Sequence, residues 1–159
     1  MHRLVLIIST CLIFFSCKKG ESSDCTKDTY TYEFYSASKI DTTRTPAGLF
    51  FQINPGNDIV FSYTHNGPDC KSIADEEYTD KLVFRVPAGT TAFNYENAQL
   101  ENAMCLFIKI AFFTNGAAPA TEGYLKGTKR PDGKWDVEIN VEIGGSIGRL
   151  IINKTFGPH

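Results

Sequence analysis

The sequence predicts an all-β domain, an antiparallel β-sandwich or barrel of about eight or nine short strands. Residues 135–143 alternate apolar and charged or amide side chains without a break, which is the period of a half-buried strand. Turn signals rich in proline and glycine recur along the chain at fairly even spacing. Helical patterning is confined to residues 96–103 and 72–80, each sufficient for only a turn or two.

The first strands are predicted on both sides of a proline–glycine turn. Residues 30–35 alternate in character and form the first strand, and residues 49–53 and 59–63 form the next two. The segment 54–58 between them contains Pro55 and Gly56, so we expect these two strands to form a hairpin. Residues 82–86 form a further strand that ends at Pro87.

The second half of the chain contains the strongest strand patterns. Residues 104–113 are apolar on both faces with Lys109 as the only charge, which predicts a central strand that is covered on both sides. The turn 131–133 joins residues 123–129 to residues 135–143, and residues 149–156 offer a last strand. Trp135 is in phase with four aliphatic residues and is expected in the core.

The N-terminal segment has the pattern of an export signal. A short basic start is followed by 12 mostly apolar residues, 4–15, whereas a membrane-spanning helix needs about 20. Ser16 and Cys17 follow, and here the segment resembles a bacterial lipoprotein signal, in which a small residue precedes the cysteine that is acylated. Phe14 departs from that pattern, where an aliphatic residue is usual. Cys11 is a weaker alternative, because cleavage there would leave apolar residues 12–15 at the new N-terminus.

This resemblance implies three segments: a signal peptide (1–16), the lipidated Cys17 with a flexible tether (17–24), and a single β domain (25–159). The chain is similar to the small lipoproteins of Bacteroidota, and we recognise no named domain family. In enteric bacteria, an aspartate directly after the acylated cysteine favours retention in the inner membrane. Here that position is Lys18, so we expect an outer-membrane lipoprotein of the cell envelope. Whether it faces the periplasm or the cell surface stays open.

Charge and composition limit the partners. The formal net charge is −2, and it becomes −3 when Arg3 leaves with the signal. Nucleic-acid binding normally requires a clustered basic surface, so we do not expect a nucleic-acid partner. The partners we expect are the membrane, through the lipid, and a glycan or another envelope protein.

The remaining cysteines of the domain are Cys25, Cys70 and Cys105. Export permits a disulfide bond, and we predict Cys70–Cys105 because Cys25 lies at the edge of the tether. The sequence alone does not fix the connectivity. The cysteines form no CxxC pair and have no histidine near them in sequence, so we predict neither a metal site nor a cofactor.

Catalytic motifs are not recognisable, and we predict no catalytic residue. The sequence contains no nucleophile motif for which His65 could act as the general base. The acidic residues 75–77 with Asp80 lack the ligand spacing of a calcium loop. Glu138 and Glu142 are about 13 Å apart on one strand face, where charged residues are ordinary. The chain also contains seven tyrosines, whose rings could stack on sugars or on a partner protein.

These observations favour a binding or structural module of unknown activity. The alternatives are a carbohydrate-active hydrolase with paired carboxylates and an inhibitor-type lipoprotein. The hydrolase hypothesis requires two carboxylates that converge in a cleft.

Overall fold

We analysed a computed structural model of the chain, which describes residues 25–70, 77–111, 116–144 and 147–159. The predicted all-β class is confirmed. The described residues form nine strands and one short helix: β1 (Thr29–Thr45), β2 (Gly48–Pro55), β3 (Asp58–Asn66), β4 (Thr79–Pro87), β5 (Ala92–Glu96), α1 (Gln99–Asn102), β6 (Leu106–Ile110), β7 (Ala118–Lys129), β8 (Trp135–Ile143) and β9 (Gly148–Pro158). In this part of the chain, no helix is long and apolar enough to cross a membrane.

The strands form one sheet that closes on itself like a barrel. The hydrogen-bonded order runs β1-β3-β4-β6-β7-β8-β9, and β9 returns to β1 through the pairs Glu33–Gly157 and Phe34–Pro158. The β1–β9 pairing is parallel, so the expectation of a purely antiparallel sheet was wrong at this one junction. The six antiparallel steps along this path are an even number of reversals, so β9 runs in the same direction as β1.

Aromatic side chains fill the interior of the barrel. Phe61 is fully buried and contacts Phe84, Trp135 and Phe156, with ring centroids 4.8–5.8 Å apart. Trp135 is fully buried, as its position in the sequence pattern predicted. Such a cluster leaves little space in the middle of the barrel, so a ligand has room only towards its ends.

The predicted hairpin between residues 49–53 and 59–63 was wrong. β2 and β3 do not pair with each other; each pairs antiparallel with β1, along its second and first half respectively, so both run in one direction. The chain bends at Gly56 without reversing, beside a bulge between Tyr35 and Ser38 in β1. A Cβ atom at Gly56 would lie 2.6 Å from Cβ of Lys39, so this close approach requires glycine.

The β1–β2 hairpin covers the outer face of the barrel. Ile40 of β1 packs with Val60, Val83 and Leu106, the outward-facing residues of β3, β4 and β6, in a second apolar cluster. Phe107, the neighbour of Leu106, belongs to the barrel core instead. The prediction that residues 104–113 form a strand covered on both sides is therefore confirmed for residues 106–108, whereas Lys109 and Ile110 at the end of β6 are exposed.

The helix predictions were partly right. α1 lies within the predicted segment 96–103, where Leu100 anchors it in the barrel core. The second predicted helical segment, 72–80, was wrong at its C-terminal end, because Thr79 and Asp80 belong to β4. Residues 72–76 lie outside the described part of the chain. β5 was not predicted, because only Phe93 of its five residues is buried and the alternation is too short to recognise.

Candidate ligand-binding site

Three rows of side chains line the barrel interior from its middle to one end. The deepest row is Phe34, Phe61 and Phe84, which are register partners on β1, β3 and β4. A second row lies two residues away on each strand, on the same face and nearer to the end of the barrel. That row consists of Tyr32, Tyr63, Leu82 and Phe107.

The third row is polar, and we call it the rim row. It consists of Tyr30, His65, Asp80 and Lys109, which are again successive register partners on β1, β3, β4 and β6. Side chains two residues apart on a strand share a face, so this row continues the interior surface to the mouth of the barrel. The lining thus changes from phenylalanine through tyrosine to charged groups within three rows.

A cavity of about 370 Å³ opens beside the rim row, and we call it the cup. Tyr63, Asp80, Phe107 and Lys109 line it from one side, and residues 147–150 at the start of β9 line it from the other. One wall therefore carries charged groups, while Leu150 and Phe107 supply apolar surface. The volume falls within the usual range of small-molecule sites, roughly 300–1,000 Å³.

His65 is held between two carboxylates and two aromatic rings. Its Nε2 atom lies 3.1 Å from Oδ2 of Asp28, and its Nδ1 atom lies 3.5 Å from Oδ2 of Asp80. The Tyr30 ring stacks on the imidazole with a centroid distance of 4.4 Å and an interplanar angle of 4°, and the Tyr78 ring meets it edge-on. Each nitrogen of the imidazole ring therefore faces one carboxylate oxygen.

Asp80 and Lys109 lie side by side with unused hydrogen-bonding capacity. Oδ1 of Asp80 is buried and accepts no hydrogen bond, and the Lys109 ammonium nitrogen is 3.8 Å away, beyond hydrogen-bond distance. The ammonium group lies 4.3 Å from the centre of the Tyr78 ring, a cation–π contact that leaves its donors free. An unpaired acceptor, covered in this arrangement, and a donor therefore lie next to each other beside the cup.

The floor of the cup is a tyrosine that resists ionisation. Burial, together with the nearby Tyr32 and Asp80, raises the pKa of Tyr63 to about 12. Its hydroxyl group therefore keeps its proton at neutral pH and can donate a hydrogen bond as well as accept one.

A disulfide bond ties the segment before β1 to the segment after β3 at the same end of the barrel. Cys25 is bonded to Cys70, and the backbone N–H of Thr26 donates to the carbonyl of Asp69. The predicted Cys70–Cys105 pairing was therefore wrong. Cys105 packs in the barrel core as a free thiol, and burial raises its pKa to about 12.

The other residues considered in the sequence do not join this site. Glu138 is exposed on the outer face of β8, where Glu142 pairs with Arg149 at 3.4 Å. Cys17 and residues 75–76 lie outside the described part of the chain, while Glu77 is exposed. Among the described residues, no three histidine, cysteine or acidic side chains are grouped to hold a metal ion.

Sequence reasoning found the tyrosines but not their arrangement. Four of the seven, Tyr30, Tyr32, Tyr63 and Tyr78, gather at the cup end. Sequence reasoning missed Lys109 as a site residue, although a single charge within an otherwise apolar strand was a usable signal. Comparisons of the chain with protein-family models, curated proteins and solved structures gave no match.

Proposed function

We propose that this chain is an exported binding protein, anchored at the outer membrane through a lipid on Cys17, as in small Bacteroidota lipoproteins. Its β domain holds a glycan in the cup, either free or as part of an envelope partner. The apolar run 4–15 followed by Ser16 and Cys17 supports the anchor.

The rim row beside the cup is the observation that carries the binding function. The middle of the barrel is lined by apolar side chains, yet the face beside the cup ends in Tyr30, His65, Asp80 and Lys109. A sugar ring presents hydroxyl groups at its edge and C–H groups on its face. The charged wall of the cup complements the first, and Tyr63 and Leu150 complement the second.

Binding fits the geometry better than hydrolysis does. Cleavage of a glycosidic bond requires two carboxyl groups on opposite sides of the bond. Glu138 and Glu142 lie on the outside of the barrel. Near the cup, Asp28 and Asp80 lie on either side of His65, so these two carboxyl groups do not flank a space that a glycosidic bond could occupy.

The test is a nuclear magnetic resonance titration of the intact protein in a detergent without a sugar headgroup. Soluble neutral oligosaccharides from bacterial envelope polysaccharides, including peptidoglycan disaccharides, are added. We expect the shifted backbone amide signals to cluster at residues 63–65, 80–82 and 107–109. Asp80→Asn is expected to weaken these shifts, since a carboxylate makes stronger hydrogen bonds than an amide oxygen.

Asp58→Asn is the matched control, because Asp58 is also a half-buried carboxylate at the end of a neighbouring strand. It pairs with Arg85 at 2.9 Å near the opposite end of the barrel. Equal weakening by both variants, or shifts confined to the outer face of β7 and β8, would contradict binding in the cup.

A further inference from the structure

Exposed apolar side chains lie at the cup end of the barrel: Ile147 lines the cup, Tyr30 belongs to the rim row, and Ile110 follows Lys109 at the end of β6, on its outer face. Ile110 is 48% exposed, Ile147 is 43% exposed and Tyr30 is 52% exposed. They are three of the four large hydrophobic residues exposed in the described part of the chain, the fourth being Ile151. Apolar side chains together with a tyrosine around a polar site suit a membrane interface, where apolar and hydrated groups meet.

The proposed anchor leaves the domain at this same end. Cys25 is fixed beside Cys70 by the disulfide, and Asp28, three residues later, contacts His65 of the rim row. From Cys17 to Cys25 the chain has eight residues, which span at most about 26–29 Å when fully extended. A lipid on Cys17 therefore holds the start of the domain, at the cup end, within about 29 Å of the membrane surface.

The charges at the cup favour a neutral ligand with hydroxyl groups. Asp80 would repel an anion, and Lys109 would repel a cation. Arg149, the third charged residue that lines the cup, is already paired with Glu142 at 3.4 Å and hydrogen-bonded to Asn140. A hydroxyl group avoids both costs, because it donates to a carboxylate and accepts from an ammonium group. Lys109 is half exposed, so its ammonium group can shift and admit a hydroxyl between itself and Oδ1 of Asp80.

From these three observations we propose that the cup takes the neutral sugar headgroup of a membrane glycolipid. The inference rests on the proposed function and narrows its ligand from glycans in general to headgroups in the membrane that carries the anchor. The headgroup hydroxyls lie between Asp80 and Lys109, the sugar face packs on Tyr63, and Ile110 and Ile147 contact the lipid surface.

The experiment uses the intact lipidated protein in phosphatidylethanolamine nanodiscs. The discs contain no further lipid, a neutral glycolipid (monoglucosyl-, monogalactosyl- or digalactosyl-diacylglycerol) or the anionic sulfoquinovosyl-diacylglycerol. Hydrogen–deuterium exchange of peptides covering the rim row is the readout. We expect a neutral glycolipid to slow exchange there several-fold, and the corresponding free methyl glycosides to have much less effect at equal concentration.

Lys109→Ala is expected to abolish this protection, and Lys126→Ala is its matched control. Lys126 also places its ammonium group over a tyrosine ring, 4.5 Å from the centre of Tyr124, but on the outer face of β7.

The orientation of the domain at the membrane is tested separately with fluorophores at Ile147→Cys and Lys134→Cys. A nitroxide on the lipid headgroups should quench the first label much more than the second, which lies in the turn between β7 and β8.

The outcomes separate this inference from the proposed function. If the free glycosides protect the rim row as well as the glycolipids do, the ligand need not be in the membrane; if only the anionic lipid protects it, the headgroup is not neutral. Either result overturns the inference of a neutral membrane headgroup and leaves binding in the cup standing. If the label at position 134 is quenched more than that at 147, the cup does not face the membrane and the inference fails. If no sugar in any form protects the rim row, the proposed function fails as well.

Discussion

Cys25 and Cys70 are joined by a disulfide bond that fixes the start of the domain beside the end of β3. The bond closes a loop with a sequence separation of 45 residues and lies next to the contact between Asp28 and His65. It therefore contributes to the stability of the barrel and to the geometry of the cup. Five predictions test this and other features.

Removing the disulfide should lower the free energy of unfolding. The double variant Cys25→Ser, Cys70→Ser is expected to lose about 2–5 kcal/mol, because the unfolded chain is no longer constrained. Urea unfolding measures the loss. A reducing agent should destabilise the wild type by a similar amount and leave the variant unchanged; a wild type insensitive to reduction would contradict the bond.

Cys105 should be unreactive in the folded protein. It is 2% exposed, and burial raises its pKa to about 12, so little of the reactive thiolate exists at neutral pH. Iodoacetamide is expected to label Cys105 only after denaturant is added, as mass spectrometry of the peptides would show. Rapid labelling under native conditions would place Cys105 outside the core.

Gly123 should tolerate alanine much less than Gly133 does. Both residues have a positive φ, at which alanine costs about 1–2 kcal/mol. A Cβ atom at Gly123 would also lie 2.0 Å from the carbonyl oxygen of Asn140, whereas Gly133 has open space. Overpacking should add about 1–3 kcal/mol for Gly123→Ala. Thermal unfolding of the two variants compares them, and equal losses would contradict the close β7–β8 approach.

Stability should fall between pH 10 and 12, in part because of Tyr63. Burial raises the pKa of Tyr63 from 10.0 in the unfolded chain to about 12 in the fold. The unfolded state therefore releases this proton first, so the contribution is complete below pH 10 and lost as the pH rises through 12. Tyr63→Phe should show a shallower decline in urea unfolding than the wild type. Tyr124→Phe, on the outer face of β7, is the control, and identical slopes in all three proteins would contradict the assignment.

The proposed lipid anchor should depend on Cys17 alone. Cys17→Ser is expected to prevent incorporation of labelled palmitate in the producing bacterium, because the acylated thiol is missing. Cys11→Ser, which changes the other cysteine of the N-terminal segment, should leave incorporation intact. Loss of the label in Cys11→Ser but not in Cys17→Ser would move the processing site to Cys11.

The sequence predicted the strands better than it predicted their pairing. The alternation in residues 135–143 identified β8 and its buried face, because the period of two follows directly from strand geometry. Pro55 and Gly56 suggested a reversal, but whether a glycine-containing bend reverses the chain depends on the strands beside it. Here the bulge in β1 and the outer face of β3 and β4 determine its path.

For the candidate ligand-binding site too, the sequence revealed the residue types but not their arrangement. The aromatic character of residues 30–35 and the single charge of Lys109 in an apolar segment were visible in the sequence. Tyr30 and Lys109 are nevertheless 79 residues apart, and only the register of four strands places them in one row. The cysteine pairing also depended on position in space, since Cys105 is drawn into the core while Cys25 lies beside Cys70.

The sequence by itself determined that the domain is all-β, which segments form its main strands and which faces they bury, because these properties follow from local periodicity. Tertiary structure alone decided the closure of the sheet through β1 and β9, the folding of the β1–β2 hairpin over the barrel, the Cys25–Cys70 bond and the assembly of the rim row. Each of these joins residues far apart in the chain. Their contacts depend on strand register and burial, which single-residue preferences do not encode.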